Sequence, residues 1–132
     1  MLNKALLVGD AMHEWAGTRR LLAGLPDEHL GWRPHAKSFT LGELATHLVN
    51  LLNWQLGILR DPGIDLAIAS SRRTALTSRQ ALLDEYDTNI LELERTLDAI
   101  DEAALASEWT LRRGDTVMAV QPKAIAFRTM GM

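Results

Sequence analysis

The sequence has no cysteine among its 132 residues, so it can form neither a disulfide framework nor a thiolate metal site. This absence fits a reducing compartment, and we expect a cytoplasmic protein. It also has no excess of positive charge: the net charge is −3, which gives no basic footprint for nucleic acid. No segment approaches the ~18–20 apolar residues of a membrane span. The short apolar run before Asp10 does not fit a signal peptide.

Helical periodicity dominates the pattern of apolar residues, which make up 47% of the chain. Helices are predicted over residues 2–25, over residues 40–60, from residue 77 to about residue 100, and from residue 117 onward with a new start at Pro122. Residues 61–76 are interpreted as a connection and residues 109–116 as extended chain with a turn. We expect residues 1–132 to form one domain, an all-α antiparallel four-helix bundle with a short or truncated fourth helix.

Local signals support these helix boundaries. Gly24 with Pro26 just beyond it predicts the end of the first helix. Thr40 with Glu43 forms a capping-box pattern at the start of the second, and residues 77–80 repeat that pattern at the start of the third. The third helix carries a seam of apolar residues spaced three and four apart, namely Leu83, Tyr86, Ile90, Leu93, Leu97 and Ile100.

His47 lies in the middle of the second predicted helix. Leu44, Leu48 and Leu51 share its face at helical spacing, so we expect the imidazole to point toward the core. Two interpretations follow: a neutral core histidine bonded to a backbone carbonyl, or a metal ligand. The other histidines are His13, His29 and His35, and no paired histidine motif accompanies any of them. The residues alone therefore predict no self-contained metal site, and no catalytic residue can be assigned.

Gly42 and the tryptophans are interpreted as packing residues. Glycine inside a helix costs roughly 1 kcal/mol relative to alanine, and a close helix–helix contact would explain its presence at position 42. Trp32 and Trp54 are predicted to be core or interface anchors, whereas the pattern around Trp109 gives no clear placement.

Two adjoining motifs resemble a known family. Residues 25–34 read Leu-Pro-x-x-x-Leu-x-Trp-Arg-Pro, and residues 38–48 read Ser-Phe-Thr-Leu-Gly-Glu-Leu-Ala-x-His-Leu. Together they resemble the DinB/YfiT-like superfamily of DNA-damage-inducible metalloproteins. The resemblance implies a four-helix bundle, commonly a homodimer, that holds a divalent metal (Zn, Ni, Fe or Mn) with three histidines.

The same resemblance assigns the first metal ligand to His47. It places the other two in an H-x-x-x-H pair on the fourth helix, and this sequence contains no such pair. The expected function is therefore that of a metal-dependent hydrolase or thiol S-transferase family acting on a small molecule, with an incomplete metal site in this chain. The alternative is a non-catalytic bundle that acts through dimerisation or partner binding. Neither interpretation involves nucleic acid or a membrane.

Overall fold

The structure, a computed structural model, describes residues 3–68 and 74–131. Residues 69–73 of the predicted connection lie outside the described residues. Within the described ranges the order of elements is α1 (Lys4–Ala23), a 3₁₀ turn (Asp27–His29), α2 (Leu41–Arg60), β1 (Gly63–Asp65), α3 (Arg79–Ala99), α4 (Glu102–Ala106), β2 (Glu108–Arg113), β3 (Thr116–Pro122) and α5 (Lys123–Gly131).

Side-chain caps fix the starts of the long helices. The Thr40 hydroxyl accepts a hydrogen bond from Glu43 N, and the Glu43 carboxylate accepts one from Thr40 N, both at 3.0 Å. The predicted capping box is therefore confirmed. At α3 the cap is Ser78, whose hydroxyl accepts from Ala81 N at 3.0 Å. The predicted box starting at residue 77 is wrong, because the helix begins one residue later.

The relative directions of the helices differ from the prediction. Trp15 Nε1 donates to Gln55 Oε1 at 3.0 Å, and α1 is antiparallel to α2 and α3. By contrast, α2 and α3 run in the same direction. Leu76, just before α3, bonds to Thr46 near the start of α2, and Arg60 at the end of α2 bonds to Glu92. The long connection between the two helices makes this parallel arrangement possible, and the antiparallel prediction is wrong for this pair.

A three-stranded sheet in the order β1-β2-β3 corrects the all-α prediction. The hairpin β2–β3 turns at Gly114, whose φ of 57° is the left-handed conformation that glycine adopts readily. The expected extended segment is thus confirmed, but the helix predicted from Val117 is wrong. Residues 116–122 pair with β2 instead, and α5 begins at Lys123, within one residue of the new helix start predicted at Pro122. Pairing with a neighbouring strand outweighed the local apolar pattern.

β1 joins the sheet by parallel pairing with β2, with Gly63 opposite Thr110. A Cβ atom at Gly63 would collide with the carbonyl oxygen of Thr110, so only glycine allows this approach. The sheet lies against the C-terminal part of α2 and against α5. It forms a wall on one side of the helices that the sequence pattern did not reveal.

The core lies between α1, α2, α3 and α5. Tyr86, Leu93 and Leu97 of the predicted α3 seam are buried, and Leu83, Ile90 and Ile100 are half-buried against them. Burial raises the pKa of Tyr86 to about 12, and its hydroxyl donates to the Trp15 carbonyl oxygen at 3.1 Å. Within the described ranges no helix is both long and apolar enough to cross a membrane.

Candidate functional site

His47 is exposed on α2, not buried in the core as predicted. Its neighbours on the same face confirm this placement: Leu44 is 50% exposed, and Leu48 and Leu51 are half-buried. The spacing was interpreted correctly, because these residues do share one face. The prediction failed because the described residues leave Leu44 and His47 uncovered and cover Leu48 and Leu51 only in part.

The same face is covered further along the helix. Gln55, Ile58 and Leu59 continue the line of Leu44, Leu48 and Leu51 at spacings of three and four, and all three are buried. α5 lies against this part of α2: Lys123 Nζ donates to the Leu59 carbonyl oxygen at 2.9 Å. We call residues 44, 47, 48 and 51 the open stripe.

The described residues do not fit a divalent metal on their own. A catalytic site of nitrogen and oxygen ligands needs about three protein donors. His13, His29 and His35 are all exposed and lie on α1, the 3₁₀ turn and the following loop, respectively. Among residues 3–68 and 74–131, no group of three His, Asp or Glu residues is placed to hold an ion. The described residues therefore give His47 no complete set of three donors, and no reaction step is derived through a metal.

The loop that carries the family-like motif has a structural role. Leu30 O accepts from Gly42 N at 2.7 Å, and Trp32 O accepts from Leu41 N at 2.9 Å, so the loop clasps the start of α2. A Cβ at Gly42 would lie 3.1 Å from Leu30 O. The close contact predicted for Gly42 is thus with the backbone of this loop, not with another helix. Trp32 is 60% exposed, so it does not anchor the core, and its predicted role as an interface anchor stays a prediction.

The same loop also holds the start of α3. Arg79 N donates to the Asp27 carboxylate at 2.5 Å, and Arg79 Nη1 donates to Leu25 O at 2.9 Å. The Thr46 hydroxyl accepts from Leu76 N at 2.8 Å and donates to Gly42 O at 2.7 Å. These contacts join the end of α1 to the starts of α2 and α3. They give many residues of the two family-like motifs a structural role that requires no catalytic function.

A cavity of about 190 Å³ lies between the C-terminal half of α2 and the sheet. Four large apolar side chains and several polar residues form its wall: Asn50, Asn53, Trp54, Gly57, Ile58, Asp61, Gly63, Ile64 and Trp109. Trp109 is 1% exposed, and its Nε1 has no hydrogen-bond partner within the described residues. Sequence reasoning missed this site because Trp109 is brought to α2 by the sheet, which local periodicity does not predict.

Asp65 fixes the strand that closes this cavity. Its carboxylate accepts hydrogen bonds from Gly114 N and Ala67 N, each at 2.9 Å. These two donors lower the pKa of Asp65 below its usual value. The Gly114 contact links the end of β1 to the turn of the β2–β3 hairpin.

Comparisons with known proteins agree with this architecture. A solved DinB-like protein from Bacillus cereus ATCC 10987 superposes with a TM-score of 0.68 at 17% identity, over 95% of this chain and 79% of that one. At this identity the likeness shows the fold alone. A search of curated proteins found no match. A model of the DinB superfamily matches residues 12–121, which is most of the chain, and confirms the resemblance seen in its motifs. This chain belongs to the DinB superfamily.

Proposed function

We propose that His47 is one donor of a composite divalent-metal site, and that a second copy of this chain covers the open stripe and completes the donor set. The supporting observation is that one continuous face of α2 is buried at Ile58 and exposed at His47. An accessible imidazole that shares its helix face with the exposed Leu44 and the half-buried Leu48 and Leu51 suits a position at an interface. Leu44, which is 50% exposed, is the open-stripe leucine with the most surface for a homodimer to bury.

The chemistry that goes with this proposal is metal-assisted hydrolysis or thiol transfer on a small molecule in the cytoplasm. A bound divalent ion would supply Lewis acidity or lower the pKa of a bound water or thiol. The roles of this chain's own residues are narrower. His47 would bind through a ring nitrogen, and Leu44, Leu48 and Leu51 would exclude water from that contact.

The experiment is metal content per chain together with solution mass, after separate exposure to Zn, Ni, Fe and Mn. Three proteins are compared: the wild type, His47→Ala and His13→Ala. His13 is an exposed histidine on α1 and provides the matched control. The proposal expects a dimer with a bound metal in the wild type and in His13→Ala, and loss of the metal in His47→Ala. Equal metal content in all three proteins would refute it.

A second candidate is a non-catalytic bundle that acts by dimerisation or partner binding. The observation that favours it is the absence of a three-donor group within the described residues. It predicts a stable metal-free dimer and little change in stability or assembly for His47→Leu. A metal-free wild type that dimerises through the open stripe would support this candidate over the first.

A further inference from the structure

We propose that the cavity between α2 and the sheet binds a small methylated ammonium ion, which lies between the Trp54 ring and the Asp61 carboxylate. This site does not depend on the proposed metal position. Gly57 on its wall lies ten residues beyond His47, which is roughly 15 Å along the helix axis at ~1.5 Å per residue. The two sites can therefore be tested separately.

Gly57 leaves a notch in the face of α2 that borders the cavity. Trp54 comes three residues before it and Asp61 four residues after it, so both neighbour the glycine on the helix surface. Asp61 Oδ2 lies 4.0 Å from the point that a Cβ atom at Gly57 would occupy. All three residues line the cavity. The glycine therefore leaves open space between an aromatic residue and a carboxylate.

The carboxylate of Asp61 has no cation of its own. The cationic side chains at this end of α2 bind other groups. Arg60 Nη2 lies 3.1 Å from Glu92 Oε2, and Lys123 Nζ donates to the carbonyl oxygen of Leu59 at 2.9 Å. None of the ion pairs within residues 3–68 and 74–131 includes Asp61. The site therefore has an uncompensated negative charge that a bound cation would neutralise.

Two further features of the cavity give it a negative potential. The C-terminal end of a helix carries a partial negative charge, and the wall follows α2 to its C-terminal residue cap, Asp61. Asn53 Nδ2 donates to Asn50 Oδ1 at 2.9 Å, which leaves the Asn53 carbonyl oxygen as an acceptor beside the cavity. Among the described wall residues Asp61 is the single charged one. An anion is therefore disfavoured and a cation is favoured.

The apolar part of the wall favours an organic cation over a metal ion. Four large apolar residues line the cavity, namely Trp54, Ile58, Ile64 and Trp109. Calcium and magnesium ions need several oxygen ligands, and within the described ranges no group of three His, Asp or Glu residues is placed to hold an ion. A methylated ammonium ion instead surrounds its charge with methyl groups, and the face of a tryptophan ring attracts such a cation.

The size of the cavity narrows the occupant further. Its volume of about 190 Å³ is below the ~300–1,000 Å³ of sites for drug-sized ligands. A single ammonium group with its methyl substituents is therefore the expected scale. Tetramethylammonium is the probe that carries this group alone, and tert-butyl alcohol is a neutral molecule of similar shape.

The test follows the backbone amide resonance of Gly57 by NMR during titration with each probe, at an ionic strength kept constant with sodium chloride. Asp61→Asn removes the carboxylate. Its matched control is Glu94→Gln, which removes an exposed carboxylate of α3 that is not on the wall. Trp54→Leu removes the ring, and Trp32→Leu is its matched control because Trp32 is 60% exposed and also lies off the wall.

We expect tetramethylammonium to give a saturable shift with a millimolar Kd in the wild type, in Glu94→Gln and in Trp32→Leu. Binding should be about threefold to tenfold weaker in Asp61→Asn and in Trp54→Leu. Trp54→Phe should restore most of the affinity, because it keeps an aromatic ring. Asp61 is exposed, so Asp61→Asn tests the proposal even if Trp54→Leu does not fold.

Three results would overturn the proposal. The first is no saturable shift of the Gly57 amide with tetramethylammonium. The second is equal affinity in Asp61→Asn and Glu94→Gln, which would show that the carboxylate on the wall does not hold the ion. The third is an equal response to tert-butyl alcohol, which would show that the cavity recognises shape and not charge.

Discussion

The two halves of α2 share one apolar face, which is buried in the C-terminal half and exposed in part of the N-terminal half. In the C-terminal half, Ile58 and Leu59 are buried under α5 and beside the sheet. In the N-terminal half, Leu44 and His47 lie on the continuation of that face and are exposed. The sequence pattern is continuous across both halves. Amphipathicity therefore identifies which face of a helix is available for packing, but not where along the helix a partner is present.

The difference also separates two kinds of candidate site. The covered half borders a preformed cavity whose wall includes four large apolar side chains, which suits a small molecule. The open half has an accessible imidazole and one exposed leucine, Leu44, which suits a protein partner. Each of the following measurements tests whether this division is real.

The largest effect is expected for Phe127→Ala, because Phe127 of α5 is completely buried in the core. Its removal should lower the free energy of unfolding by about 3–5 kcal/mol, measured by urea denaturation. Ile125→Ala, at a half-buried position of the same helix, should cost clearly less. Similar small losses for both would mean that α5 does not cover α2.

The comparison between the halves is sharpest for Ile58→Ala against Leu44→Ala. Ile58 is 1% exposed, so Ile58→Ala should lower the free energy of unfolding by about 2–5 kcal/mol. Leu44 is 50% exposed, so in a monomer the free energy of unfolding of Leu44→Ala should stay within about 0.5 kcal/mol of the wild-type value. Measuring both at several protein concentrations adds a control. A large Leu44 effect that grows with concentration would indicate that a second copy covers the open stripe.

Two glycines of α2 should respond to alanine in opposite directions. Gly42→Ala places a Cβ 3.1 Å from Leu30 O and should destabilise the fold by about 1–3 kcal/mol. Gly57→Ala has room for its methyl group and should stabilise the helix by up to about 1 kcal/mol. Thermal denaturation of both variants checks the signs. Destabilisation by Gly57→Ala would mean that the cavity is closed more tightly than the structure shows.

Thr40→Ala removes the cap at the open end of α2. The loss of its bond from Glu43 N should cost about 1 kcal/mol, and Thr40→Ser should retain most of the stability. Hydrogen exchange should show faster exchange in the first turns of α2 than in the covered half. Uniform acceleration along the whole helix would show that the two halves open together.

The smallest expected effect is the loss of sheet stability at low pH when Asp65 is protonated. The folded-state pKa of Asp65 lies below the usual carboxyl value of 3.8. The stabilisation that Asp65 gives to the sheet is therefore fully present above pH 3.8, and it is lost as the pH falls through the lowered pKa. Amide exchange in β2 should therefore accelerate in strong acid, while exchange around Leu44 and His47 should not follow the same transition. Asp65→Asn should abolish the acid transition in β2. An unchanged transition in this variant would assign it to another group.

Local chemistry predicted a large part of this fold. The capping box at Thr40, the glycine at the end of α1 and the seam of α3 were all predicted from neighbouring residues and are present. These features depend on contacts within about one helical turn. The family resemblance was also confirmed, since its motif is a local run of residues.

Apart from the cap of α3, which was predicted one residue too early, the errors concern contacts between distant segments. Val117 was placed in a helix because its local apolar pattern does not reveal that β2 is its partner. His47 was placed in the core because periodicity does not reveal how far α5 extends along α2. Trp109 could not be placed at all, since it reaches the cavity wall only through the sheet. The candidate cavity was therefore beyond prediction from the sequence, and the assignment of a metal ligand to His47 stays a prediction.

The parallel pairing of β1 with β2 has a consequence for the order of folding. The β2–β3 hairpin needs only the short turn at Gly114, so it can form quickly. β1 can join it only after the chain has closed a loop that contains all of α3, which carries a larger entropic penalty. The strand that completes the cavity wall should thus dock last during folding. A molecule that binds in the cavity would then slow unfolding without accelerating folding.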